Sequence, residues 1–215
     1  MFLPLSDDDR QQLNPAFITW ALLVLNIVIF VGLQSNSAFT NGYSAVPAEI
    51  TGGVDIVEPI PVEVAPGQVI AIPHAPGPSP IYLTLLSSMF MHAGFMHLAG
   101  NMLFLWIFGD NVEHRFGHLP FLVFYLASGF AASAAHIIAD PESIVPSLGA
   151  SGAISGVMGA YLVLFPRNMV YALFFFRIIR VPAFIVIGLW AVGQFFSGYV
   201  SLSQVTQAGG VALSL

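Results

Sequence analysis

Gly149-Ala150-Ser151-Gly152-Ala153-Ile154-Ser155-Gly156-Val157-Met158-Gly159-Ala160 opens an apolar run that ends near Phe165. The stretch carries no charge, and its small residues recur four apart: Gly152 with Gly156, Ser151 with Ser155. Small residues at that spacing let helices approach closely in lipid. The same stretch also places a hydroxyl where a helix should begin. Residues there sit beside unpaired backbone N–H groups and the positive end of the helix dipole. Those groups stabilise a developing oxyanion, although an N-cap serine would use the same position. On this stretch alone, packing and chemistry both remain open.

Composition makes the run a membrane span. The 215 residues are 57% apolar and 7% charged, with a mean hydropathy of +0.84. An ordinary globular domain carries about 25% charged residues, and a soluble surface this poor in charge would aggregate. The expected fold class is an all-α membrane protein: one polytopic helical domain over residues 1–215. Without cysteine there are no disulfides and no thiolate metal sites. The polar start, with Asp7, Asp8 and Asp9 ahead of any apolar run, lacks the basic region of a cleaved signal peptide.

Crossing a bilayer takes roughly 20 apolar residues. Five segments fit: Phe17 to Leu33, Leu83 to Phe108, Leu119 to Ile138, Leu148 to Phe165 and Pro182 to Val200. A sixth begins after residue 209 and is incomplete at Leu215. Met169 to Phe176 is apolar but too short to cross, and is expected to extend a helix or lie at the interface. Residues 1–16 form the N-terminal segment, and residues 35–82 a long loop rich in proline, expected to lack regular structure.

Five arginines orient the map. Arg10, Arg115, Arg167, Arg177 and Arg180 all fall on the N-terminal side, and there is no lysine. Five independent placements would agree about one time in sixteen, and the basic side marks the cytoplasm. The N-terminus is therefore expected in the cytoplasm, with residues 35–82 and 139–147 outside. An integral membrane protein fits this pattern.

The second span carries Met89-Phe90-Met91-His92-Ala93-Gly94-Phe95-Met96-His97-Leu98-Ala99-Gly100-Asn101-Met102. Polar side chains at membrane depth are costly and usually functional. His97 and Asn101, four apart, share one helix face. They either bond neighbouring helices or aim two donors at one point, and an Asn amide can serve an oxyanion hole. His92 lies a turn and a half earlier, nearer the outer surface. His114 and His118 read as a solvated turn, Asp110 and Glu113 as caps or bridges of helix ends, and His136 as a packing or hydrogen-bonding residue. No H-E-x-x-H motif is present, and no pair of aspartates lies on different spans, which argues against intramembrane zinc and aspartyl proteases.

These residues resemble the rhomboid intramembrane serine proteases. The likeness rests on His97-Leu98-Ala99-Gly100-Asn101 and its continuation to Glu113, on Gly149-Ala150-Ser151-Gly152 as the family's G-x-S-G, and on Pro47-Ala48-Glu49-Ile50 in the first loop. The resemblance implies a Ser–His dyad. Ser151 would be the nucleophile, with His97, Asn101 and the Ser151 backbone N–H as oxyanion donors, and His92, Gly149 and Gly152 near the site. Substrates would be transmembrane helices cut near the outer leaflet. No cofactor, metal or nucleic-acid partner is implied, and the oligomeric state is left open.

The pattern departs from the family at one point. A histidine is expected shortly after the family's G-G-V-A on the sixth span. Here Gly209-Gly210-Val211-Ala212 is followed only by Leu213-Ser214-Leu215, and no histidine follows Ser151. Loss of the base costs a serine hydrolase on the order of a million-fold, so the chain as written is expected to be inactive. It reads as part of a longer protease; the alternative is a pseudoprotease that binds membrane helices without cutting them.

Overall fold

The computed structural model describes residues 2–7, 15–65 and 67–194. Arg10, the end of the fifth expected span and the start of the sixth lie outside the described residues.

The chain begins with strand β1 (Phe2–Asp7) and helix α1 (Phe17–Gly32), then short helices α2 (Ser37–Tyr43) and α3 (Pro47–Gly52). The hairpin β2 (Ile60–Ala65) and β3 (Gln68–Ile72) follows, with the short helix α4 (Thr84–Ser87) between two 3-10 turns. Three longer helices make the body: α5 (Phe95–Phe116), α6 (His118–Ala139) and α7 (Ser151–Leu164). A second hairpin, β4 (Met169–Phe174) and β5 (Arg177–Pro182), leads into α8 (Ala183–Gln194).

Helix α7 is the central element. Its residues Ala153, Ile154, Val157, Met158 and Tyr161 are all buried, against Leu105, Phe108 and Val112 of α5 and Phe121 and Tyr125 of α6. The glycines that open α7 permit this. A Cβ on Gly152 would come within 2.5 Å of Ala132 Cβ, and one on Gly156 within 2.2 Å of Ser128 Oγ. Around the perimeter, Val24, Val28 and Val31 of α1, Leu119, Val123 and Ile138 of α6, and Phe184 and Leu189 of α8 are exposed. An outside as apolar as the inside is the mark of a bundle solvated by lipid.

Among the described residues, α6 alone is long and apolar enough to cross a membrane by itself. The expected second span is not one straight helix. Residues Ile81–Phe90 and Phe95–Phe116 together pass the same test but are bent by 75°. The break has a cause the apolar pattern hides. The Gln34 amide donates from Nε2 to the His92 carbonyl at 3.0 Å, and its Oε1 accepts the His92 N–H at 2.8 Å. With both backbone groups satisfied from the side, the chain leaves the helix without stranding them. His92 therefore sits in the break and not on the helix, and α5 runs on past Phe108 to Phe116.

Three further expectations are corrected. Met169 to Phe176 does not extend a helix. It forms β4 and the tip of a hairpin, with Val170 and Ala172 buried on one face, and β1 pairs with β4, Asp7 opposite Val170. Residues Phe2–Asp7 are thus part of a three-stranded sheet, order β1-β4-β5. The loop 35–82 does hold regular structure: Asn36 Oδ1 accepts the Ala38 N–H at 2.9 Å to start α2, Pro47 starts α3, and residues 60–72 form a hairpin. His118 is not simply solvated, because its Nδ1 bonds Glu113.

Glu113 ties three helices together. Ala16, at the cap of α1, has no side chain able to satisfy the first turn. The buried Glu113 carboxylate does so from α5, accepting the N–H groups of Ile18 and Thr19 at 2.9 and 2.7 Å and the Thr19 hydroxyl at 2.7 Å. Nearby, Asp7 accepts from the Tyr161 hydroxyl and from Asn111 Nδ2 at 2.9 Å, and Asn168 Nδ2 donates to the Tyr161 oxygen at 3.1 Å.

Candidate active site

Ser151 is the first residue of α7, and Ala150 occupies the cap. The cap residue makes no side-chain bond to this end, and the first-turn N–H groups of a helix have no intrahelical partner. The first helical bond runs from the Ile154 N–H to the Ala150 carbonyl at 3.0 Å. Ser151 is therefore not an N-cap serine. Ser155 turns its hydroxyl back onto the Ser151 carbonyl at 2.7 Å, a bond that leaves the Ser151 side chain uninvolved.

The approach to Ser151 is fixed by Gly149. Its φ of +140° lies in the region that side chains avoid. The Gly149 N–H donates to the Ser88 carbonyl at 2.9 Å, which holds the turn against the segment before α5. A Cβ placed on Gly149 would meet His97 Cε1 at 2.8 Å, His97 Nε2 at 3.1 Å and Ser151 Oγ at 3.7 Å. The imidazole of α5 and the hydroxyl of α7 thus both come within 4 Å of one point.

The hydrogen bonds of His97 decide which of its nitrogens carries the proton. Its Nδ1 accepts the Ala93 N–H at 3.3 Å. In the neutral ring the proton is then on Nε2, the nitrogen beside Gly149. His97 accordingly presents a donor to the site and not a base. The His92 ring stands edge-on to it, centroids 5.2 Å apart at 69°. Both His92 ring nitrogens are buried without a hydrogen-bond partner among the described residues. A chain of contacts therefore runs from Gln34 through the His92 backbone and Ala93 to the His97 ring.

Asn101 lies one turn further along α5. His97 meets Gly149 at one end of this helix face, and Phe108 meets Tyr161 at the other, ring centroids 4.7 Å apart. Asn101 belongs to the same face. It is 2% exposed, and its Nδ2 has no hydrogen-bond partner among the described residues. An unpaired buried amide donor costs about 1–3 kcal/mol, so its persistence calls for a ligand or a function.

A cavity of about 190 Å³ opens beside Ser151. Its wall includes Ser88, Ser133, His136, Gly149, Ser151 and Gly152, with Ala45 and Pro47 contributed by the long loop. That loop is fastened here: Ala45 and Ser147 exchange backbone hydrogen bonds of 3.0 and 2.8 Å. Gly152 thus faces both the cavity and α6. His136, expected to pack or hydrogen-bond, is a cavity residue. The sequence held no signal for it, because its neighbourhood depends on how α6 lies against α7. Among the described residues, no three His, Cys, Asp or Glu side chains come together as metal ligands would.

The Rhomboid domain family model matches residues 80–213 of the chain. Rhomboid protease GluP of Bacillus subtilis (strain 168) is 45% identical over 87 residues, which cover 40% of this chain and 17% of that protein. RHOMBOID-like protein 6, mitochondrial, of Arabidopsis thaliana is 44% identical over 78 residues, 36% of this chain and 25% of that protein. RHOMBOID-like protein 12, mitochondrial, of the same plant is 31% identical over 152 residues, 61% of this chain and 44% of that protein. The matches thus span less than half the length of each of these relatives.

Proposed function

The chain belongs to the rhomboid family, a family of polytopic integral membrane proteins, and from that premise we propose that it is the catalytic domain of an intramembrane serine endopeptidase. Ser151 Oγ attacks the scissile carbonyl of a transmembrane helix that has locally unwound. The carbonyl oxygen becomes an oxyanion and is met by His97 Nε2–H, the Asn101 amide and the Ser151 N–H at the start of α7. The hydroxyl proton passes to a histidine and then to the leaving amine. Water releases the acyl group in the second half of the cycle.

One observation carries this reading: the place a Cβ would take on Gly149 has the His97 imidazole and the Ser151 hydroxyl within 4 Å. The unpaired Asn101 amide on the same helix face supports it. All six histidines precede Ser151, whereas the resemblance expects the base after it. His97 offers a donor, so we assign the role to a histidine encoded after Leu215. The arginine asymmetry supports a cytoplasmic N-terminus and a site that opens toward the outer side; the likeness to a Bacillus subtilis relative supports residence in a bacterial inner membrane.

The test compares two proteins: residues 1–215 alone, and the product of the coding sequence read on past Leu215. The longer protein is expected to react with a fluorophosphonate and to cleave a single-span substrate, and Ser151→Ala is expected to abolish both. The 215-residue chain is expected to do neither. Reaction of the shorter chain that disappears in His136→Gln would move the base to the cavity histidine. A longer protein with the expected histidine that binds helices without cutting them would favour the pseudoprotease.

A further inference from the structure

We propose that the β4–β5 hairpin is a lipid-docking element that inserts its aromatic tip into the anionic headgroup region of the bilayer, at the end of the bundle away from Ser151.

The sequence at the tip is Leu173-Phe174-Phe175-Phe176-Arg177-Ile178-Ile179-Arg180. Phe174 pairs with Arg177, so Phe175 and Phe176 form a two-residue connection. Such turns need positive φ and favour Asn, Asp or Gly. Here Phe175 takes φ +53°, the one non-glycine residue with positive φ among the described residues. A bulky side chain in that region is strained, and such strain tends to persist where it serves a function.

The tip is also exposed. Phe176 is 97% accessible, Ile178 65% and Phe175 61%. The Phe174 and Phe175 rings already meet edge to face, centroids 4.8 Å apart. The base of the hairpin is firm by contrast, because Val170 and Val181 pack into the core that α7 and α8 share. The hairpin is therefore packed at its base and uncovered at its apolar end.

Charge identifies the occupant. The chain has a net charge of −6 and only five cations, yet Arg167, Arg177 and Arg180 fall within residues 167–180. Arg177 and Arg180 are exposed on β5, and Arg180 lies over the Tyr171 ring, 5.4 Å from its centroid. Aromatic side chains flanked by arginines match the headgroup layer of an anionic leaflet, where rings enter the acyl boundary and guanidinium groups meet phosphates. The hairpin directly joins α7 to α8, two apolar helices, which holds its base at the membrane. Docking would anchor the end of the helix that begins with Ser151.

The chain has no cysteine, so a single introduced thiol carries one spin label. Phe176→Cys and Ile178→Cys are labelled in the full chain within nanodiscs of phosphatidylcholine, with or without phosphatidylglycerol. Glu58→Cys, ahead of the β2–β3 hairpin, serves as the exposed control. Both tip labels are expected to collide with oxygen and to be shielded from a water-soluble nickel chelate. Phosphatidylglycerol is expected to increase that shielding, and Arg177→Gln with Arg180→Gln to remove the increase. Nickel accessibility equal to that of the Glu58→Cys control overturns the proposal. So does exclusion of both reagents, which would place the tip against protein, in a second copy or a partner.

Discussion

Helices α5 and α7 meet in two polar clusters, one at each end, and the two are built differently. At the far end, Asp7, Asn111, Tyr161 and Asn168 bond one another, and Glu113 is satisfied by α1 and His118. At the near end, the Asn101 amide and both His92 ring nitrogens have no partner among the described residues, and a cavity that neither residue lines opens beside Ser151. Buried polar groups are normally hydrogen-bonded because the alternative is expensive. A closed network holds a fold together. An open one keeps donors ready for a group that is not yet there. The same helix pair thus uses polar residues for stability at one end and for chemistry at the other.

The largest effect that would break this contrast concerns Ser151. In the protein extended past Leu215, Ser151→Ala should lower substrate cleavage by roughly a million-fold, while the thermal midpoint in detergent stays within a few degrees of the parent. Comparable loss of both would make Ser151 a packing residue. Next comes Asn101→Ala, which should cost about 100- to 1000-fold in kcat and little stability, because its amide is unpaired in the free protein. A large fall in the unfolding midpoint without a kinetic defect would show that the amide holds helices together.

The closed end should answer in the opposite way. Tyr161→Phe removes a donor from Asp7 and should cost about 1–3 kcal/mol of stability, read by denaturation in mixed micelles. The expected change in cleavage is small. If kcat fell with stability untouched, the two clusters would not divide the work as described.

The smallest effect lies in the long loop and sharpens the boundary between them. Burial raises the pKa of Glu49, its bond from the Ile56 N–H opposes this, and Asp55 adds to the rise. The folded loop then binds the proton more tightly than the unfolded chain does, so stability falls as pH rises from the ordinary carboxylate range through the raised value. Hydrogen exchange over residues 47–56 should show protection falling across that window in the parent relative to Glu49→Gln. Equal pH profiles for the two proteins would contradict the assignment.

Much of this could be read from the sequence, for reasons tied to particular residues. Leu119 to Ile138 read as one span, and α6 occupies His118–Ala139, because an uninterrupted apolar run has only one inexpensive conformation in lipid. His97, Asn101 and Ser151 stood out because polarity is costly there. The break at His92 did not, since it depends on Gln34, 58 positions away. The hairpin of residues 169–182 was hidden by its length, where a short apolar run fits a helix or a strand equally well. His136 gave no signal, because only the packing of α6 on α7 brings it to the cavity. Local chemistry was visible; contacts made by folding were not.

The most direct test of the central claim is a structure of the extended protein after reaction with a fluorophosphonate. The account predicts phosphorus bonded to Ser151 Oγ, with its free oxygen within about 3.2 Å of both His97 Nε2 and Asn101 Nδ2. An adduct whose oxygen points elsewhere, leaving the Asn101 amide as unpaired as before, would contradict it.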